Sequence, residues 1–259
     1  MTTTHQPRWI ELEGVVNARD VGGLPTEDGR RTRPGVLIRT ANLIEITEAD
    51  VAQLVEQHGV RRVVDLRTDV EVVKSGPGRM NETEDVTVHH LSLYNDNPEK
   101  AAAPDAVVPW ADERHGGGRD PQVSSYLKYF ERRPDSIIAA LRAIAEPDGA
   151  TVVHCAAGKD RTGVIVAVAL TLAGVPRAVI ADDYAHTQSQ IGRILDQLAR
   201  NGLYDRETTA PEKIPPASAD KMISVLDAID EDHGGVPAWL ARHGWTEADT
   251  DQLRSRLVE

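Results

Sequence analysis

The sequence is poor in cysteine, in positive charge and in long apolar runs, and each shortage closes off a class of protein. One cysteine, Cys155, in 259 residues allows no intrachain disulfide framework. Lys and Arg together number 29 against 41 Asp and Glu, for a net charge of −12. A nucleic-acid binder normally shows the opposite balance, and the basic run Arg30, Arg31, Arg33 reads as a solvated turn, so no nucleic-acid partner is expected. The longest apolar stretch, residues 164–175, is too short to span a bilayer, so no membrane insertion is expected either. Residues 1–9 hold no apolar core of the signal-peptide kind. The cytoplasm is therefore the expected location, with export without a signal peptide as the alternative. Hydrophobic residues at 40% and charged residues at 27% are ordinary for a globular chain. No boundary divides the sequence, which reads as one domain over 1–259. An acidic body of this kind can hold an anion only at a locally positive place, which directs attention to a concentrated anion-binding loop.

The element pattern is α/β. Residues 35–40 (GVLIRT) read as a strand. A helix follows, capped by Thr47 with Asp50 three residues on, carrying the apolar stripe Val51, Leu54 and Val55 and ending at Gly59. Residues 60–66 and 86–93 read as further strands, and strand–helix–strand with short connections implies a central, largely parallel sheet flanked by helices. From Tyr94 to Gln122 the periodicity disappears among prolines and the run Gly116, Gly117, Gly118. The segment 95–122 reads as an irregular insertion that borders the site, and with residues 193–200 it forms a candidate lid. Helical pattern returns at 124–130 and 135–144. A strand at 151–154 leads into a glycine-containing loop and a strongly apolar helix over 162–173, with one further helix over 177–200. After an irregular stretch at 201–216, three short helices over 219–229, 236–242 and 247–257 complete a helical C-terminal part, the last capped by Thr246 with Asp249.

The chemistry is concentrated in His154-Cys155-Ala156-Ala157-Gly158-Lys159-Asp160-Arg161-Thr162-Gly163, a loop between a buried strand and a helix. Successive backbone N–H groups in such a loop converge into an anion-binding nest, and the helix behind adds its positive pole. Ala156, Ala157, Gly158, Lys159, Thr162 and Gly163 are the expected substrate-binding positions, with Gly158 supplying the backbone freedom. Arg161 offers a planar fork for two phosphate oxygens. Helix N-termini and cationic neighbours stabilise thiolates, so Cys155 is expected as the charged nucleophile, with Thr162 donating a hydrogen bond to its sulfur. His154 is expected to orient the loop. The implied reaction is in-line attack on a phosphate monoester, a phosphocysteine intermediate and its hydrolysis, with no metal and no cofactor required. The leaving oxygen needs a proton, for which Asp160 and Asp96 compete, Asp160 being favoured. Lys159 either reaches a second phosphate from the rim of the site or is a solvated side chain. The loop lacks the Lys-Ser/Thr ending of a nucleotide-binding Walker A motif. A rhodanese-type sulfurtransferase would not need Arg161 and Thr162 in this register, and a phosphate-binding pseudoenzyme would not need both Cys155 and Arg161.

HCAAGKDRTG resembles the signature loop of the protein tyrosine phosphatase superfamily, in the Gly-Lys-Asp-Arg-Thr-Gly form of a bacterial branch. Asn17-Ala18-Arg19-Asp20-Val21-Gly22-Gly23 is similar to that branch's N-terminal element. Asp65-Leu66-Arg67 with Glu71 and the pair Asp183-Tyr184 match further positions, and the likeness runs over nearly the whole chain. The resemblance implies a protein tyrosine phosphatase-like fold and hydrolysis of phosphotyrosine, with phosphoserine, phosphothreonine and phosphoinositides accepted by some members. The implied substrates are thus phosphotyrosine proteins or phosphorylated lipids, a phosphoinositide-specific enzyme being one alternative. Asn17, Arg19 and Asp20 are expected to buttress the signature loop. Asp65 and Arg67 either line the site or form an ion pair that only fixes the strand end. His89 and His90 read as structural, and Trp110, Trp239 and Trp245 as anchors.

Overall fold

The computed structural model describes residues 6–94, 119–203 and 214–259. Among these, six strands form one sheet: β1 (Arg8–Trp9), β2 (Arg19–Asp20), β3 (Leu37–Thr40), β4 (Val60–Asp65), β5 (Thr87–His90) and β6 (Ala150–His154). Their order across the sheet is β1-β2-β3-β6-β4-β5. The run β3-β6-β4-β5 is parallel throughout, and β1-β2-β3 is antiparallel. The expected largely parallel sheet is present. The antiparallel ribbon escaped sequence reading because two-residue strands are too short to show any alternation. Side chains leave the central strands alternately to either face. Ile38, Val63 and Val152 join one apolar cluster with Val15 and Leu54. Leu37, Val64 and Val153 join the larger cluster on the opposite face. Both faces are covered, which is why the residues of β3, β4 and β6 are buried almost without exception, the polar ones included.

Helix α1 (Glu48–Ala52) opens with the expected capping box: Thr47 Oγ1 accepts from the Asp50 N–H, and the Asp50 carboxylate accepts from the Thr47 N–H, each at 3.1 Å. The chain then widens into a π-turn at Gln53–Gln57 before Gly59 reverses it with φ +64°. Helix α2 (Asp69–Ser75) was not expected, although Thr68 and Glu71 form a second capping box in front of it. Helix α3 (Pro121–Arg132) starts earlier than expected, because Asp120 caps it through the N–H groups of Gln122 and Val123. The irregular segment therefore ends before Pro121, and Asp96, Trp110 and the rest of 95–118 lie outside the described residues. Helices α4 (Pro134–Ala145) and α5 (Asp160–Leu172) flank β6 in sequence.

The single helix expected over 177–200 is divided into α6 (Arg177–His186), a 3₁₀ turn at Thr187–Gln190 and α7 (Ile191–Arg200). The cause is tertiary. Arg19 Nη2 donates to the Asp183 carbonyl at 2.8 Å, and the Thr187 N–H, which a continuous helix would send there, bonds Tyr184 and Ala185 instead. The C-terminal part follows the expected plan as α8 (Ala219–His233), α9 (Val236–Arg242) and α10 (Glu247–Leu257). Trp239 packs edge-on against Phe130 at 5.0 Å, and Trp245 donates from Nε1 to Thr250, so both tryptophans anchor these helices. Among the described residues no helix is long and apolar enough to cross a membrane. The parallel strands β3, β6 and β4 end side by side, and their C-terminal ends are where open α/β sheets place their sites.

Candidate active site

The signature loop joins the central strand β6 to α5, the helix that returns across the sheet. Cys155 follows β6 directly and is buried. Gly158 has φ +65°, and a Cβ there would stand 2.2 Å from the Thr40 carbonyl oxygen. The loop thus needs glycine twice over, for its left-handed backbone and for its closeness to β3. The N–H groups of Ala156, Ala157, Gly158 and Lys159 bond no described residue. Buried backbone donors are almost always paired in proteins, so this run is a set of donors arranged for an anion. The carbonyls of the same loop are held from outside. Ala156 O accepts from the Asn42 backbone N–H at 3.0 Å and from Asn42 Nδ2 at 2.9 Å.

Arg161 lies in the first turn of α5, and Glu71 grips it in a two-pronged pair, with Nη1–Oε2 at 2.5 Å and Nη2–Oε1 at 2.8 Å. Nη1 also donates to the Leu66 carbonyl at 3.1 Å, and the guanidinium lies 5.5 Å from the centre of the Tyr94 ring. Burial alone would push the Glu71 carboxyl up, but the Arg161 charge and the hydrogen bonds it receives outweigh this and hold it below its ordinary range. Glu71 is the site residue the sequence left without a role. Its signal was the Thr68-x-x-Glu71 capping box, whose Oε2 also accepts the Thr68 N–H at 2.6 Å. One carboxylate therefore starts α2 and orients the Arg161 guanidinium.

His154 is buried, and burial above all pushes its imidazole pKa down. Its Nδ1 lies 3.2 Å from the Cys155 carbonyl and its Nε2 3.6 Å from Asp65. That placement fits an orienting role at the start of the loop. Asp65 is held by Arg67 at 2.6 Å, and Arg67 also donates to Ser75 Oγ and to the Gly76 carbonyl. This pair ties the end of β4 to the far end of α2. His90 Nε2 lies 2.8 Å from the Arg67 carbonyl and belongs to the same support.

Asp160 opens α5 and is buried among donors. Oδ1 accepts from Lys159 Nζ at 2.9 Å, from Gln122 Nε2 at 3.3 Å, and from the Tyr126 hydroxyl. Tyr126 in turn meets the Tyr184 hydroxyl at 2.9 Å. Burial would push the Asp160 carboxyl up, but the Lys159 ammonium and these hydrogen bonds prevail and keep it below the ordinary carboxylate range. Lys159 corrects the expectation of a cation at the rim: its side chain is buried, and its ammonium faces Asp160.

Behind the loop, Gly158 O accepts from Asn17 Nδ2 at 3.2 Å and from Arg39 Nη2 at 3.0 Å. Asn17 adopts φ +59°, and its Oδ1 receives Arg19 Nη1 at 2.6 Å. Arg19 Nε and Arg39 Nη1 both donate to the Asp183 carboxylate, at 2.9 and 2.7 Å. Burial would raise the Asp183 carboxyl, but the two guanidiniums bring it down to about 2. For Arg19 burial prevails, lowering its value to about 10, which still leaves the guanidinium charged at neutral pH. Arg19 buttresses the loop only through Asn17. Asp20 does not reach the loop: its oxygens accept the N–H groups of Gly22 and Gly35 and pair with Arg8, because β2 turns this side chain toward the next turn of chain. Arg39, Asn42 and Asp183 complete this set. The first two were unmarked in sequence, and Asp183 was noted only as half of a matching pair.

Two loop residues serve otherwise than expected. Thr162 Oγ1 is buried without a hydrogen-bond partner among the described residues, so it does not donate to the Cys155 sulfur in this geometry. Gly163 has its N–H taken by the Lys159 carbonyl at 2.8 Å, which removes it from the anion-binding donors. Its lack of a side chain admits the Tyr184 ring, which would lie 2.8 Å from an added Cβ.

A buried thiol at a strand end, a run of N–H groups unpaired among the described residues and a guanidinium held in a fixed plane can receive a tetrahedral oxyanion and attack its centre. The model of the tyrosine phosphatase family matches residues 10–259. The chain is 27% identical to the triple specificity protein phosphatase PtpB of Mycobacterium tuberculosis, over 96% of this chain and 98% of that one. It is 30% identical to a tyrosine-protein phosphatase of Nostoc commune, over 85% of this chain and 73% of that one. A putative tyrosine-protein phosphatase of Cupriavidus necator is 27% identical over 96% of this chain and 88% of that one. The chain belongs to the tyrosine phosphatase family and is a protein-tyrosine phosphatase.

Proposed function

We propose that the enzyme hydrolyses phosphate monoesters through a covalent phosphocysteine at Cys155, with phosphotyrosine as its first substrate. The observation that carries this reading is the juxtaposition of Cys155 with four loop N–H groups that bond no described residue and with the Glu71-held guanidinium of Arg161. The thiolate attacks phosphorus, the sulfur–phosphorus bond forms, and the bond to the leaving oxygen breaks as that oxygen takes a proton. Water then attacks the phosphocysteine, the sulfur–phosphorus bond breaks, and a base takes the water's proton while the thiolate returns. Ala156, Ala157, Gly158 and Lys159 bind the equatorial oxygens through backbone N–H groups, and Arg161 binds two of them through its fork.

The proton donor is Asp160 or Asp96. The donors around Asp160 favour its charged form, which suits the base of the second step better than the acid of the first. That shifts the balance of the sequence reading toward Asp96, which lies outside the described residues. Asp96→Asn and Asp160→Asn separate the roles: loss of the true acid removes the alkaline limb of kcat/KM and steepens its dependence on the leaving group. Substrate breadth to phosphoserine and phosphothreonine is supported by the triple specificity of the mycobacterial relative, and breadth to phosphoinositides by the resemblance alone. A panel of these substrates, run with wild type and Cys155→Ser, decides it. Full turnover by Cys155→Ser, or no phosphocysteine after acid quench and mass analysis of wild type, overturns the mechanism.

A further inference from the structure

The anion-binding loop is held open from the outside by two carbonyl clamps. In a trans peptide the N–H points opposite to the C=O. The Ala156 carbonyl, tied to Asn42 by two hydrogen bonds, therefore aims the Ala157 N–H to the other side of the loop. The Gly158 carbonyl, tied to Asn17 and Arg39, does the same for the Lys159 N–H. Between them the two clamps fix alternate peptide planes of the loop, and Ala157 and Lys159 are two of the four positions whose N–H groups bond no described residue.

The second clamp has a single origin. Asp183 on α6 receives Arg39 at one carboxylate oxygen and Arg19 at the other. Arg39 then presents its remaining Nη to Gly158. Arg19 occupies Asn17 Oδ1, which leaves the amide NH₂ of Asn17 as the group that meets Gly158. An amide is assigned from its partners, and here a charged donor on the oxygen permits one orientation. The Asp183 carboxylate is itself buried, so neither arginine has water as a substitute partner.

We propose that Asn42 and Asp183, the latter acting through Arg39 and through Arg19 with Asn17, are positioning residues that set the direction of the Ala157 and Lys159 N–H groups before the phosphate arrives. The proposal rests on reading those N–H groups as the phosphate site. A preorganised donor array stabilises developing charge because it need not turn during reaction. If a clamp is cut, a peptide plane is free to rotate, and misplacement of about 1 Å can lower rate about a hundredfold. The effect should exceed what loss of a distant ion pair does to the amount of folded enzyme, and should appear in anion affinity itself.

The test measures binding of vanadate and of inorganic phosphate by titration calorimetry, in parallel with kcat and KM on p-nitrophenyl phosphate. The enzymes are wild type, Asn42→Ala, Asp183→Asn and Arg39→Lys, each checked for folded fraction by circular dichroism. The expected result is vanadate affinity at least about tenfold weaker for Asp183→Asn, and a smaller loss for Asn42→Ala, whose backbone N–H still holds the Ala156 carbonyl, with kcat/KM falling in step. Arg39→Lys keeps a charge for Asp183 and a donor for Gly158, and should lose less than Asp183→Asn. Because these substitutions alter buried sites, Asn42→Leu, which is close in volume, carries no charge and removes the side-chain donor, stands in if Asn42→Ala is unfolded. Folded variants that bind vanadate and turn over like wild type overturn the proposal. Wild type that binds vanadate without turnover removes the phosphatase reading alone, and the clamps are still judged by affinity. Wild type that binds neither anion removes both.

Discussion

Two buried arginines stand on opposite sides of the signature loop, and each is held by a carboxylate, yet they answer to different parts of the chain. Arg161 faces the anion site and takes its carboxylate, Glu71, from a helix cap that lies just beyond the end of β4. Arg39 faces the back of the loop and takes its carboxylate, Asp183, from α6, 144 residues away in sequence. On the proposed mechanism the front pair orients the group that binds the substrate, whereas the rear pair orients a group bonded to the loop. Removing one partner of a buried pair strands the other, so both are expected to be sensitive. What differs is where the loss appears, in transition-state stabilisation at the front and in the shape of the nest at the rear.

The largest effect should come from Arg161→Lys. An ammonium cannot reproduce the planar fork, and loss of one such charge-stabilising donor lowers kcat by about 10²–10³. Steady-state kinetics on a phosphotyrosine peptide checks it, and a loss under tenfold would mean that Arg161 is not the clamp. Next is Glu71→Ala, which leaves the Arg161 guanidinium buried without its carboxylate and uncaps α2. Breaking a buried pair in this way costs about 3–5 kcal/mol of folding stability, measurable by urea unfolding, and kcat/KM should fall with it.

The rear pair carries a pH signature. The Asp183 carboxyl is lowered from 3.8 to about 2. A carboxyl depressed on folding contributes stability that is complete above its unfolded value and is lost as pH falls through the folded one. The window is therefore pH 4 down to 2, and the contribution is about 2 kcal/mol. Asp183→Asn should flatten the stability curve across that window, and parallel curves for wild type and variant would remove the pair from the acid response. The smallest effect belongs to Asp20→Asn. Its carboxylate holds backbone N–H groups away from the site, so stability should drop by about 1 kcal/mol while kcat/KM stays within about twofold. A larger kinetic loss would restore Asp20 to the loop's support.

This contrast also explains what the sequence discloses. The front of the site is legible because its parts are local. Cys155, Gly158 and Arg161 sit in one ten-residue stretch, and only Glu71, whose sign was the capping-box spacing from Thr68, went unread. The parallel strands and the three C-terminal helices are legible for the same reason, since apolar alternation and caps repeat over a few residues. The rear is not. Arg39 lies in the short strand Leu-Ile-Arg-Thr, where a charged residue carries no local sign of its role, and Asn42 is a polar residue after a strand. Only the pairing of β3 with β6 brings them to the loop. Lys159 was misplaced for a related reason: a lysine in a phosphate loop suggests the rim, and burial against Asp160 follows only from the helix register and the tyrosines of α3 and α6. The division of 177–200 depends likewise on an arginine from β2.

The Gly163–Tyr184 contact has a consequence for how these two positions can vary. An added methyl at 163 and the ring at 184 would occupy one volume, so neither position is independent of the other. Gly163→Ala in the wild-type background is an overpacked core substitution, whereas the same change beside Tyr184→Leu has room. The double variant should therefore be more stable than the sum of the two single changes implies. The glycine that closes the signature is in this sense half of a two-residue shape, whose other half is a phenol that reaches on to Tyr126 and, through it, to Asp160.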